Sequence, residues 1–155
     1  MARKFTNTYL PRHARKGQKL VYLHSPVIGT GGVAVTGSAT TTVPIESPYV
    51  RGWVEGISIR GETAAVSASG TVLLTVYKWD VANAAAVALN TALNIEAAGL
   101  TSLKANIPIT VLSSLTDAQR TKLEADTFYA EIVSDAAIGT APVRVQVTVA
   151  LAQTR

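Results

Sequence analysis

A chain of 155 residues is long enough for one domain with its own core, and the absence of cysteine excludes disulfides and thiolate metal sites. The net charge of +4 is unevenly placed: the first 45 residues carry six basic side chains and no acidic one, the remainder eight basic and ten acidic, so the total divides into +6 and −2. No apolar run is long enough to cross a bilayer as a helix, and Thr6, Asn7 and Thr8 follow the basic start where a secretion signal would place its apolar stretch, so neither a membrane span nor a signal peptide is expected.

Residues 1–19 read as an extended basic N-terminal arm with Arg3, Lys4, Arg12, Arg15, Lys16 and Lys19, broken by Pro11 and Gly17 and without a sustained period. Residues 20–155 read as the body. Leu20–Leu23 is a short apolar run that Pro26 soon ends. Residues 26–48, rich in Gly, Thr and Pro, read as loop with one short strand at Val33 and Val35. After Pro48 the pattern turns to period two. Trp53, Val54, Ile57 and Ile59 mark a strand over 50–60, with Gly52 and Gly56 as bulges or points of close approach.

In the strand over 71–79, Val72, Leu74 and Val76 face one way and Leu73, Thr75, Tyr77 and Trp79 the other. Both sets are largely apolar, as expected when one face packs on an opposing sheet and the other meets a neighbour. Residues 81–98 set alanine's helix propensity against alternation from Val87 to Ile95. The alternation decides for a loop at 81–86 and a strand at 87–95. Ile107, Ile109 and Val111 form another strand, with Pro108 confining it to an edge or a strand start. Thr116 to Gln119 has capping-box spacing for a helix of about two turns ending near Glu124. A strand over 127–133, a loop over 135–142 and a last strand with Val143, Val145, Val147, Val149 and Leu151 on one face complete the chain. Seven or eight strands and one short helix imply an all-β, two-sheet antiparallel β-sandwich, best described as a jelly-roll, with an extended N-terminal arm.

The catalytic inventory is thin. His13 and His24 lie in or beside the arm, and a serine triad needs a histidine fixed in a rigid site. The pair lacks a third nitrogen or sulfur ligand for zinc. Glu124, Asp126, Glu131 and Asp135 are the main acidic concentration and read as solvated charges at element ends. Gly29, Gly31 and Gly32 read as turn glycines: no helix and no Lys-Ser/Thr pair follow to complete a phosphate loop. No enzymatic activity, cofactor or metal is expected. The arm holds four fixed positive charges between Arg12 and Lys19, suited to phosphates or to an acidic protein surface, with Phe5 and Tyr9 interspersed. Trp53 and Trp79 read as core residues, or else as a platform for sugar stacking.

Arg51 to Arg60, Thr71 to Trp79, the run Leu123-Glu-Ala-Asp-Thr-Phe-Tyr129 and the valine-rich final strand together resemble the small jelly-roll decoration (cement) proteins of tailed-bacteriophage capsids, over roughly residues 50–152. The resemblance implies a homotrimer on the capsid exterior, made in the host cytoplasm. It further implies the major capsid protein as partner and an extended terminal segment that reaches across neighbouring coat subunits, a role that residues 1–19 would suit, with Arg3, Lys4, Arg12, Arg15, Lys16 and Lys19 as the expected contacts. A carbohydrate- or receptor-binding module such as a fibre head, using Trp53 or Trp79, is the second reading. Nucleic-acid binding through the arm ranks below both.

Overall fold

Alternation of inward and outward side chains organises the computed structural model of the protein, which describes residues 19–100 and 102–153. In chain order the strands are β1 (Leu20–His24), β2 (Ala39–Ile45), β3 (Gly52–Gly61), β4 (Val66–Ser67), β5 (Val72–Asp80), β6 (Ala85–Ala88), β7 (Leu93–Asn94) and β8 (Ser102–Ile109). A one-turn helix α1 (Asp117–Arg120) then precedes β9 (Thr121–Lys122), β10 (Thr127–Ser134), β11 (Ile138–Thr140) and β12 (Gln146–Gln153). One sheet has the order β1–β12–β3–β8, with β9 beside β3. The second has the order β2–β10–β5–β6, with β7 beside β5, and β4 and β11 form a separate ribbon. All these pairings are antiparallel.

The pairings are nested. β1 pairs with β12, β2 with β10, β3 with β8 and β5 with β6, so the chain forms one long hairpin whose successive rungs fall alternately in the two sheets. The inward residues of both sheets share one core. Leu23, Val54, Ile57, Ile59, Val147, Val149 and Leu151 come from the first sheet, and Val43, Ile45, Val72, Leu74, Val76, Phe128, Ala130 and Ile132 from the second. The architecture is therefore all-β, two-sheeted and antiparallel, as the alternation implies.

Several local expectations are corrected. β2 occupies 39–45, within the stretch read as loop, whereas Val33 makes only an isolated bridge to Ile28. Small Thr and Ala side chains gave little hydrophobic signal, yet the segment pairs along its whole length with β10. The strand expected over 87–95 is split into β6 and β7, both on β5. Between them the Asn90 side chain stands in for the missing backbone: its Oδ1 accepts from Val76 N at 2.7 Å and its Nδ2 donates to Leu74 O at 3.3 Å. The capping box at Thr116 and Gln119 forms, but the helix ends after Arg120 because Thr121 turns extended to pair with Trp53. The loop over 135–142 contains β11. The final strand begins at Gln146, since Arg144 has a positive φ of 51° and leaves Val143 and Val145 as isolated bridges.

Three glycine positions act as read. β3 bulges between Val54 and Gly56, which face Leu151 and Ala150 on β12. At Gly52 a Cβ would lie 2.5 Å from the Leu151 side chain. Gly29 turns the chain at φ +100°, where a side chain would collide with the Pro142 carbonyl.

Candidate interaction face

The outward face of the second sheet carries the features most suited to binding. Strand register sets Pro44, Tyr129, Tyr77 and Ala88 in one row across four strands, with Thr127, Trp79 and Ala86 in the next. On the other side lie Thr42, Glu131 and Thr75, followed by Thr40, Val133, Leu73 and Asn94. The Tyr77 and Tyr129 rings stack with centroids 5.2 Å apart and planes inclined by 14°. Trp79 is 38% exposed and Val133 40%. Ala86, Ala88 and the threonines flank these residues, so the aromatic side chains rise as a ridge between low shoulders.

Charge is nearly absent from this face. Glu131 is the one charged side chain at an outward position within the described strands of the sheet, because Lys78 points inward and is buried and Asp80 closes the turn to Asn83. Burial, and then the nearby Glu131 carboxylate, push the Tyr129 phenol above its ordinary pKa. The basic residues Lys19, Arg51, Arg60, Arg120 and Arg144 all sit on or beside strands of the first sheet. The body is thus polarised into a mixed-charge half and an aromatic half.

The outward face of the first sheet is polar. Tyr22, His24, Ser58, Arg60, Asn106 and Thr148 line a depression of about 250 Å³. His24 ends β1, as its position beside Ser25-Pro26 implied, and its Nδ1 lies 3.0 Å from Thr148 Oγ1. The Arg60 guanidinium donates to Gln146 Oε1 at 2.6 Å, and Gln146 donates in turn to Ser25 O. These groups satisfy one another. Trp53 is on this face but is only 7% exposed, packed with Ala152 and Leu20, and the Arg120 guanidinium lies 4.9 Å from its ring centroid. Of the two tryptophans offered for sugar stacking, only Trp79 presents its ring.

Two lysines that sequence reasoning did not single out are buried at one end of the sandwich. Lys78 Nζ donates to Thr121 O at 2.6 Å and to Ala118 O at 3.1 Å. Lys122 Nζ lies within hydrogen-bond reach of four carbonyls, those of Pro48, Val50, Leu123 and Glu124, at 3.0–3.3 Å. Burial lowers the pKa of both amines, opposed by the Asp126 carboxylate. Asp126, expected to be solvated, is instead 2% exposed and accepts from the backbone of Leu123 and Val81. The cluster is a structural clamp: its donors and acceptors are spent on closing loops.

Of the six arm residues, Arg3, Lys4, Arg12, Arg15 and Lys16 lie outside the described residues. Lys19 is exposed, and its carbonyl accepts from Gln153 N at 2.9 Å, continuing the β1–β12 ladder. Among the described residues no group of His, Asp or Glu is arranged to hold a metal, and no helix is long and apolar enough to cross a membrane. Compared with protein families, curated proteins and solved structures, the chain matches none at a significant level.

Proposed function

We propose that this protein is a non-enzymatic structural component of a phage virion, a jelly-roll decoration protein that binds the capsid exterior and bridges coat subunits. The nested pairing of β1 with β12, β2 with β10, β3 with β8 and β5 with β6 supports the jelly-roll assignment, since a jelly roll is a long antiparallel hairpin wrapped into two sheets. The observation that carries the functional reading is the outward face of the second sheet. A ridge of Tyr77, Tyr129 and Trp79 with Leu73 and Val133, bearing one carboxylate, has the composition of a protein–protein contact: aromatic, apolar and poor in charge. Three copies around a capsid three-fold axis would add such contacts through avidity, with Arg3, Lys4, Arg12, Arg15, Lys16 and Lys19 reaching neighbouring subunits.

Co-sedimentation of the full-length protein with DNA-free capsids of the encoding phage tests this reading. Saturable binding that weakens when Arg12, Arg15 and Lys16 are replaced by glutamine is the expected result. Failure of the unaltered protein to bind would remove the decoration role.

The partial exposure of Trp79 beside stacked tyrosines supports a second reading, a glycan- or receptor-binding module. Here Trp53 is no longer a candidate, and a glycan array gives the distinguishing result: specific binding that Trp79→Ala abolishes.

A further inference from the structure

We propose that the outward face of the first sheet carries a shallow binding site for a carboxylate-bearing sugar ring, formed by Tyr22, His24, Ser58, Arg60, Asn106 and Thr148. Strand register sorts the chemistry of this face into rows. Tyr22 lies across from Ala150 and Gly56, His24 from Thr148 and Ser58, and Arg60 from Gln146. The face therefore runs from an aromatic ring over small residues, through an imidazole and two hydroxyls, to a guanidinium. A pyranose acid offers the same order of groups: an apolar ring face, ring hydroxyls and a planar carboxylate. The outer rows are four residues apart along β3, about 13 Å of strand, a length that suits one ring with its carboxylate. The depression of about 250 Å³ adjoins a smaller hollow of about 130 Å³ at Tyr22, Ser58 and Thr148.

Arg60 is the member prepared for an anion. Its Nε and Nη2 donate to Gln146 Oε1 at 3.2 and 2.6 Å, and Gln146 is held in turn by Ser25 O at 3.0 Å. That contact fixes the guanidinium through one edge of its fork. Among the described residues the other edge, with its parallel Nη1–H and Nη2–H groups, has no partner, and such an edge grips a carboxylate through two hydrogen bonds. The other described arginines are engaged differently: Arg51 with Glu124, Arg144 with Glu62, and Arg120 with Val54 O. Of these four, Arg60 alone has a neutral side chain as its partner, and no acidic residue lines the depression. Glu46 is turned to the His24 backbone N–H, at 3.3 Å. His24 directs Nδ1 to Thr148 and leaves Nε2 for a ligand hydroxyl. The bonds within the cluster thus fix its members without exhausting them. Tyr22 is well exposed, and a Cβ added at Gly56 would meet nothing within 4 Å, so the floor beside the phenol is open to a ring stacked on it. This inference does not rest on the capsid reading, and its site lies on the sheet opposite Trp79.

The test titrates the full-length protein, followed by NMR, with methyl glucuronide, methyl glucoside and acetate at constant ionic strength. Saturable shifts at Tyr22, His24 and Arg60 with the glucuronide are expected, at an affinity at least tenfold above that of either other probe, since one lacks the carboxylate and the other the ring. Arg60→Lys keeps the charge but not the fork and should weaken glucuronide binding about tenfold. Gly56→Val fills the open hollow without touching Arg60 and should weaken it as well, with the melting temperature of each variant confirming the fold. Arg51→Gln removes the same charge elsewhere on the body and should leave the affinity unchanged. Absence of glucuronide shifts overturns the proposal, as does equal affinity for glucuronide and glucoside or for glucuronide and acetate. Binding indifferent to both Arg60→Lys and Gly56→Val overturns it too, and shifts centred on the Trp79 indole would assign the ligand to the second sheet instead.

Discussion

The Lys78 ammonium lies 3.9 Å from the Asp126 carboxylate, and neither side chain is more than 2% exposed. The pair joins β5 of the second sheet to the loop that leads into β10. Through Ala118 O and Thr121 O, Lys78 also holds α1 and β9, which edge the first sheet. A charge at an inward position of a β-sandwich is costly unless every partner is present. Here the lysine has two carbonyls and a carboxylate, and the carboxylate has two further backbone donors.

Lys78→Ala should accordingly destabilise the fold by about 3–5 kcal/mol, because it strands a buried carboxylate and two carbonyls. Replacing both Lys78 and Asp126 by apolar residues of similar volume should cost less than Lys78→Ala, which equilibrium denaturation of the variants would show. The pH dependence has a definite sign. Burial lowers the folded-state pKa of Lys78 and Lys122 below 10.5, so between the folded and unfolded values the unfolded chain binds more protons than the folded one. The lysine contribution to stability therefore rises with pH through that window, is complete above the unfolded value, and is lost as pH falls through the folded value. Subtracting the pH profile of Lys78→Met from that of the unaltered protein should isolate this slope. A flat difference would show that the amine keeps its ordinary pKa.

Lys122 is predicted to order the two loops whose carbonyls it gathers. Lys122→Met keeps the apolar stem and removes the donors, at a cost of about 1–3 kcal/mol for the carbonyls left unsatisfied in the interior. Hydrogen exchange should then accelerate at 48–52 and 121–126 ahead of the central strands. Uniform acceleration throughout the chain would instead assign Lys122 a global role.

Asn90 carries a prediction of the same kind at the edge of the second sheet. Asn90→Leu removes the acceptor of the Val76 amide and the donor to Leu74 O, both in buried surroundings, and should cost about 2 kcal/mol. Asn90→Asp keeps the acceptor but not the donor and adds a charge at a site 2% exposed, so it should be at least as damaging. Thermal unfolding of the two variants measures both. Little change in either would mean that β6 and β7 pair with β5 without the side-chain bridge.

These residues show where sequence reading reaches its limit. β3, β5 and β10 were legible because large apolar residues alternate with polar or smaller ones over eight or more positions, and the Thr116–Gln119 capping box because both of its bonds are local. β2 was hidden because Ala39 to Thr42 is small and polar, and its pairing partner lies some ninety residues away. The alternation that set Val72, Leu74 and Val76 inward also set Lys78 inward, but a lysine is ordinarily counted as solvated, and only tertiary partners reverse that. The aromatic ridge depends on register. Tyr77 and Trp79 shared a face by period two within β5, whereas Tyr129 and Glu131 join them only through the non-local β10 pairing.

That ridge supports the last prediction, which separates binding from stability. Trp79 and Val133 project from the sheet and are 38% and 40% exposed, so Trp79→Ala and Val133→Thr should shift the unfolding free energy by no more than about 0.5–1 kcal/mol, as expected for outward positions free of special strain. A bound partner would cover the indole and desolvate it, and truncating a tryptophan at the centre of a contact commonly costs about 2 kcal/mol or more. Capsid affinity measured by co-sedimentation should therefore fall at least tenfold in Trp79→Ala with little change in melting temperature, while Tyr22→Ala, on the opposite sheet and 57% exposed, should leave binding unchanged. Equal losses in Trp79→Ala and Tyr22→Ala would show that the second sheet is not the docking face. Loss in Tyr22→Ala alone would move the contact to the polar depression beside His24 and Arg60 on the first sheet.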